Sequence, residues 1–284
     1  MSIINILIFI AAILITPIIG GFLSGIDRKV TALIQGRYGP PIRQPFYDVI
    51  KLLYKQKLLV NNLQVFSAYI YLLSAMLSIG LLAIKADLLM IIFVMSVGVV
   101  FYIAGALSAK SSYSQVGAQR ELMQMLAYEP ILIFFVIAVY NVTGSFNIGE
   151  IMMHKTLLAD LPLMFLLLGL VLTIKLKKSP FDLSSSEHAH QELVRGILTD
   201  YSGPYLALIH LGDWYEMVFI LALIALMWSA NLFIGALIAL AVFFVDIIID
   251  NITARLTVRW MLEFSWAISI LFTVVNIAYI YFRR

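Results

Sequence analysis

Eight apolar stretches, at roughly 3–25, 63–84, 87–109, 121–142, 157–176, 205–228, 230–249 and 260–281, set the terms on which this chain can fold. Each is about 20 residues long, enough for a helix rising 1.5 Å per residue to cross a hydrocarbon layer about 30 Å thick. Inside that layer every backbone N–H and C=O needs an internal partner, which leaves helices and closed barrels as spanning structures. Apolarity here is continuous rather than alternating, which selects helices. The expected fold is therefore all-α, a polytopic membrane protein with about eight transmembrane helices. Only 12% of residues are charged, against about a quarter in a soluble domain, so no soluble class competes. Residues 1–284 read as a single integral membrane domain, with no linker and no inverted internal repeat. Asp27-Arg28-Lys29 follows the first stretch with no small-residue cleavage site, so that stretch reads as a retained helix rather than a signal peptide.

Charge sets the orientation. The connectors 27–62, 110–120, 177–204 and 250–259 fall on one side. In or beside them lie all nineteen Lys and Arg residues except Lys85, Lys155, Arg283 and Arg284. The positive-inside rule puts those connectors in the cytoplasm and both termini outside the cell membrane of a prokaryote. In the first connector, Gly39-Pro40-Pro41 breaks the chain and Pro45 opens PFYDVIKLLYKQ. There Phe46, Val49, Ile50 and Leu53 oppose Asp48, Lys51 and Lys55. The pattern predicts an amphipathic helix on the inner membrane surface, as a basic anchor or a docking site.

The connector 177–204 is unusually polar, with four of the sixteen acids and two of the four histidines. Cysteine is absent, which excludes disulfides, Fe–S clusters and thiolate nickel sites from this polypeptide. If redox chemistry is involved, partner proteins must supply it, and the chain is then a non-redox subunit with no catalytic centre of its own. Nucleic-acid binding has no support, because the net charge of +3 is explained by the inner-side Lys and Arg.

Acids at membrane depth carry the functional signal. The sixth stretch holds His210, Asp213 and Glu216 at helical spacing on one face. The fourth holds Glu129 followed by Pro130, and the seventh holds Asp246 and Asp250. A central Asp costs about 2.5–3.5 kcal/mol on insertion scales, so several together must face protein, water or one another. Such a set suits a proton or ion path: Glu129, Asp213, Glu216, Asp246, Asp250 and His210. Arg120, Arg195, Arg255 and Arg259 at the cytoplasmic ends are candidate counter-charges. His188 and His190, beside Glu187 and Glu192, offer metal donors without a complete ligand shell, so no metal is assigned. An interface role fits them, as does proton uptake near neutral pH.

Three cytoplasmic motifs resemble one family. DRKVTALIQGRYGPPIRQPFYDVIK at 27–51 resembles its acid-Arg-Lys start, Gln-x-Arg-x-Gly-Pro turn and Asp-x-x-Lys helix. RELMQMLAYE at 120–129 resembles the stretch ending in Tyr-Glu, and PFDLSSSEHAHQELVRGILTDYSG at 180–203 resembles the Pro-Phe-Asp-Leu loop ending in an acid-Tyr-Ser-Gly. The family is that of the H subunit of respiratory complex I, which also supplies the membrane component of energy-converting NiFe hydrogenases. Asp27 and Asp213 stand where that family usually has Glu. SSSEHAHQ before Glu192-Leu193-Val194, and Pro41 in place of the Asn of quinone-reducing enzymes, resemble the hydrogenase branch.

The resemblance implies a membrane-anchoring, ion-translocation-coupling subunit of a ferredoxin-oxidising, hydrogen-evolving NiFe hydrogenase. The redox-arm junction it implies comprises Arg37, Asp182, Glu187, His188, His190, Glu192, Arg195, Asp200 and Arg120. It also implies partners: NiFe hydrogenase large and small subunits, an Fe–S subunit and an antiporter-like membrane subunit. The NiFe centre and Fe–S clusters would sit in those partners, with no cofactor in this chain. The alternative within the family is a quinone-chamber subunit of a complex I-type oxidoreductase. Outside it stands a secondary transporter, against which the missing inverted repeat argues.

Overall fold

The computed structural model describes residues 3–57, 61–154, 156–185 and 195–283, and every named element in them is helical. The order is α1 (Ile3–Ile34), α2 (Gln44–Leu53), α3 (Asn62–Ala83), α4 (Leu88–Leu107), α5 (Ser112–Thr143), α6 (Ile148–Ile151) and α7 (Leu157–Asp160). Then follow α8 (Pro162–Lys175), α9 (Gly203–Leu226), α10 (Leu232–Ile252) and α11 (Val258–Arg283), with a 3₁₀ turn at Gly196–Leu198 before α9. Seven of these helices are long and apolar enough to cross a membrane: α1, α3, α4, α5, α9, α10 and α11. The chain is thus an all-α, multi-pass membrane protein.

The fifth expected span takes a different form. Between 157 and 176 the helix breaks at Leu161, where Pro162 opens α8. Only 14 residues remain in α8, about 21 Å of helix, short of a full hydrocarbon layer. Broken backbone at this depth must find polar partners. Asn276 of α11, 1% exposed, supplies them: its Nδ2 donates to Asp160 O (3.2 Å) and its Oδ1 accepts from Leu163 N–H (3.4 Å).

Two helices run beyond their expected limits. α1 continues through Asp27-Arg28-Lys29 to Ile34, and Gly36 at φ +70° then turns the chain. α5 starts at Ser112, so residues 112–120, expected as connector, form its first turns. Nothing in either stretch breaks a helix, so polarity alone marks where the membrane ends.

Lipid is as apolar as leucine, so helices pack here through small residues and close contact. α3 and α4 meet at Gly98 and Gly105, whose missing side chains leave room for Ser74 and Ser67. Tyr71, Tyr102, Phe135, Phe219 and Phe243 are each at most 2% exposed and fill the interior.

α2 is amphipathic as expected, but its apolar face divides. Phe46 and Val49 turn into the protein. Phe46 meets Trp214 of α9 at 5.4 Å and Phe22 of α1 at 5.2 Å, both edge-on, and Val49 packs in the same cluster. Ile50 and Leu53 stay exposed. Asp48 accepts from Arg28 at 2.9 Å, which ties α2 to α1.

Candidate functional site: a buried fan of lysines

α8 ends at Lys175, and the polar segment after it starts inside the bundle, the Lys175 and Lys178 side chains being only 6% and 8% exposed. Its end is a Schellman cap: Lys177 N–H donates to Ile174 O (3.1 Å) and Lys178 N–H to Thr173 O (3.4 Å). The left-handed position of this cap, normally glycine, is Lys177 at φ +52°. The turn spreads three lysines toward different helices.

Lys175 Nζ lies 3.1 Å from Glu216 of α9 and 4.2 Å from the centre of the Tyr128 ring of α5. Lys177 Nζ lies 3.3 Å from Glu121 of α5 and 5.1 Å from the Tyr102 ring of α4. Lys178 Nζ bridges Asp27 of α1 (3.0 Å) and Asp246 of α10 (3.3 Å). Burial pulls the Lys177 ammonium down, but Glu121, and beyond it Asp213 and Glu216, more than offset this, so its pKa is raised. Lys178 behaves likewise, burial being outweighed by Asp27 and Asp246. Both therefore stay charged where an isolated buried lysine would be driven neutral.

An aromatic file continues from Lys177. Tyr102 stacks on Tyr71 with ring centres 5.0 Å apart, and the Tyr71 hydroxyl donates to Asp213 at 2.8 Å. His210 Nδ1 lies 3.9 Å from the same carboxylate. Asp213 thus faces α3 while Glu216 faces α8, so the shared face expected for them separates onto two neighbours. Asp250 accepts from Ser179 N–H at 2.8 Å. Glu129 is half-buried, and its Oε1 has no hydrogen-bond partner among the described residues. It lines a cavity of about 290 Å³ between α4 and α5.

Residues 179–184 are stitched to the bundle. Leu256 N–H donates to Pro180 O (3.0 Å), Gln124 to Phe181 O (2.6 Å), Arg120 to Leu183 O (3.3 Å) and Ile197 N–H to Ser184 O (3.2 Å). Arg255 pairs with Asp182 at 3.4 Å. Gly117 lets the 3₁₀ turn close on α5, since a Cβ there would stand 2.2 Å from Ile197 N. Tyr201 shares a hydrogen bond with Ser67 (3.1 Å); burial nonetheless pushes its phenol up to about 12.

The expected junction residues divide. Asp182 and Arg120 join this lattice. Asp200 sits at its edge with Oδ2 buried, and Arg195 is exposed. Arg37 is exposed and hydrogen-bonds Gln35, whose own amide reaches Asn251 at 3.1 Å. Glu187, His188, His190 and Glu192 lie outside the described residues. Among those described, no group of three or more His, Asp or Glu side chains could hold a metal ion.

Two of the arginines expected as counter-charges pair elsewhere. Arg255 goes to Asp182 and Arg259 to exposed Glu263 (2.7 Å), because both leave from the connector and first turn at the membrane surface. The counter-charges beside path acids are Lys175 at Glu216 and Lys178 at Asp246, while Lys177 holds Glu121. Their sequence signal is plain: three lysines within four residues, 175–178, where an apolar run ends. The positive-inside rule already accounts for their charge, so nothing in the sequence singles them out.

Residues 4–281 match the sequence profile of the NADH dehydrogenase family. The H subunit of NADH-quinone oxidoreductase from Geobacillus kaustophilus is 28% identical, the match covering 96% of this chain and 93% of that protein. The protein of the same name from Wolbachia pipientis is 29% identical over 76% of this chain and 72% of its own length. Among solved structures, a chain of the membrane-bound sulfane sulfur reductase, an archaeal respiratory membrane complex, shares the fold. Its TM-score is 0.86 at 24% identity, over 96% of this chain and all of that one.

Proposed function

This chain belongs to the NADH dehydrogenase family, that of the H subunit of complex I-type oxidoreductases, and on that premise we propose that it couples a redox arm to ion movement across the membrane. In this reading the complex is a ferredoxin-oxidising, hydrogen-evolving NiFe hydrogenase, and the ion is a proton or sodium. The observation that carries the coupling role is the lysine fan. Lys175, Lys177 and Lys178 sit on one short segment yet hold acids of α9, α5, α1 and α10. A displacement of residues 175–183 by a docked partner changes all these pairings together. Each acid that loses its cation is left buried and takes up a proton more readily. The set Glu129, Asp213, Glu216, Asp246, Asp250 and His210 then passes that change to an antiporter-like neighbour.

Support for the hydrogenase branch comes from SSSEHAHQ and Pro41. In this proposal the NiFe centre and clusters belong to the hydrogenase large and small subunits and an Fe–S subunit, and this chain anchors them. The names of the relatives at 28–29% identity favour a second reading, a subunit of a quinone-reducing complex.

Purifying the intact complex separates the two. Nickel with hydrogen evolution from reduced ferredoxin supports the first, and bound quinone with quinone reduction supports the second. Coupling itself is tested by Glu129→Gln and Asp213→Asn. If either variant complex still builds the wild-type membrane potential during turnover, the coupling path is overturned.

A further inference from the structure

α4 separates two cavities and contributes Ile92 and Ser96 to both. The larger, about 290 Å³, is lined further by Phe93, Val97 and Phe101 and holds Glu129. The smaller, about 10 Å³, is lined by Tyr128, Lys175 and Glu216 besides apolar groups. Two atoms of the small chamber's lining side chains have no hydrogen-bond partner among the described residues: the Tyr128 hydroxyl and Glu216 Oε1, on residues 3% and 7% exposed. Buried polar atoms in this state need a partner, and a space this size fits one water. A metal cation does not suit it, because the Lys175 ammonium already stands 3.1 Å from Glu216 and would repel one.

We infer that the small chamber binds one water molecule and that Ser96, which lines both chambers, relays protons between Glu129 and Glu216. This rests on the ion-path reading above and names the ion at this step as a proton. The transfer balances. Glu129 as the acid gives its proton to Ser96 Oγ, whose own proton goes to the water. The water passes a proton to Glu216 Oε1, breaking its pairing with Lys175. Serine and water are regenerated, and one proton has moved from Glu129 to Glu216. The reverse passage uses the same groups. Without the serine hydroxyl, Val97 and Ile92 leave an apolar gap in the α4 wall.

The test uses the intact complex in liposomes, with internal pH followed per electron transferred. Ser96→Ala is expected to lower proton movement about tenfold or more, of the order a positioned proton-transfer group contributes. Ser96→Thr, which keeps the hydroxyl, is expected to restore it, and the defect is expected to be equal in sodium-rich and sodium-depleted buffer. Tyr128→Phe, which keeps the ring over Lys175 and removes the chamber hydroxyl, gives a second decrease independent of any packing change at Ser96. Wild-type pumping in both variants, with Glu129→Gln inactive, overturns the relay and leaves the ion path standing. Wild-type pumping in Glu129→Gln as well overturns the path itself. A Ser96→Ala defect that added sodium relieves overturns the proton assignment.

Discussion

Lys177 Nζ lies 3.3 Å from a Glu121 carboxylate oxygen, and the two side chains are only 17% and 9% exposed. The same lysine occupies the left-handed position of the α8 cap, at φ +52°. A non-glycine residue there costs of the order of 1–3 kcal/mol. Breaking a buried pair by removing one partner costs about 3–5 kcal/mol. The pair outweighs the strain, and that ordering explains a lysine where a glycine would cap more easily.

Lys177→Gly is accordingly expected to relax the backbone yet destabilise the protein by about 2 kcal/mol, the difference between the centres of those two ranges. Adding Glu121→Gln removes the stranded charge and is expected to recover most of that loss. Denaturant melts of the four proteins in detergent, read as a double-mutant cycle, measure the coupling. A cycle that closes with no interaction energy shows that the pair contributes nothing.

Alkaline pH is expected to loosen the junction. Lys177 and Lys178 have pKa values raised by their acid partners, and burial raises Tyr201 to about 12 from an ordinary value near 10. A raised folded-state pKa contributes stability that is complete below the unfolded value and lost as pH climbs through the folded one. All three groups have the same sign, so stability is expected to hold below about pH 10 and to fall toward pH 12. Thermal melts between those limits check this. Tyr201→Phe, which cannot ionise, is expected to flatten the upper part of the decline, and an unchanged profile would show that the phenol plays no part.

Asn276 is expected to be costly to replace. Its side chain meets both Asp160 O and Leu163 N–H at the α7–α8 break. Asn276→Leu removes both hydrogen bonds, and a buried polar group that loses a partner costs about 1–3 kcal/mol. A melting temperature within a degree or two of wild type would show that water replaces the asparagine there.

The spans are legible in the sequence because apolar length alone determines them. α3, α4, α9 and α10 lie close to the stretches read from sequence, and the acids of α9 and α10 lie in those helices. Interior ends are harder to read. Nothing local in DRKVTALI or SYSQVGAQR breaks a helix, so polarity marks the membrane surface but not the ends of α1 and α5. The inward turn of Lys175–Lys178 is illegible for a different reason: it depends on where α8 stops. Pro162, with Asn276 more than 100 residues away, sets where it starts. Asp213 and Glu216 share a helical face in projection. Their partners, Tyr71 and Lys175, come from helices whose placement no spacing rule supplies.

The short α8 makes topology a decisive measurement. Both termini outside requires an even number of crossings, and among the described residues seven helices have full spanning length, so the 157–176 segment must count as a crossing despite the break at Leu161. The chain has no cysteine, which allows single-cysteine labelling without background. Lys57→Cys, in the connector before α3, and Arg195→Cys, before α9, are both exposed. Each is expected to react with an impermeant maleimide only from the cytoplasmic face. Met153→Cys, at a residue 82% exposed between α6 and α7, is expected to react only from outside. If Met153→Cys and Arg195→Cys label from the same face, α8 is a re-entrant helix. The charge rule then has the two termini on opposite sides.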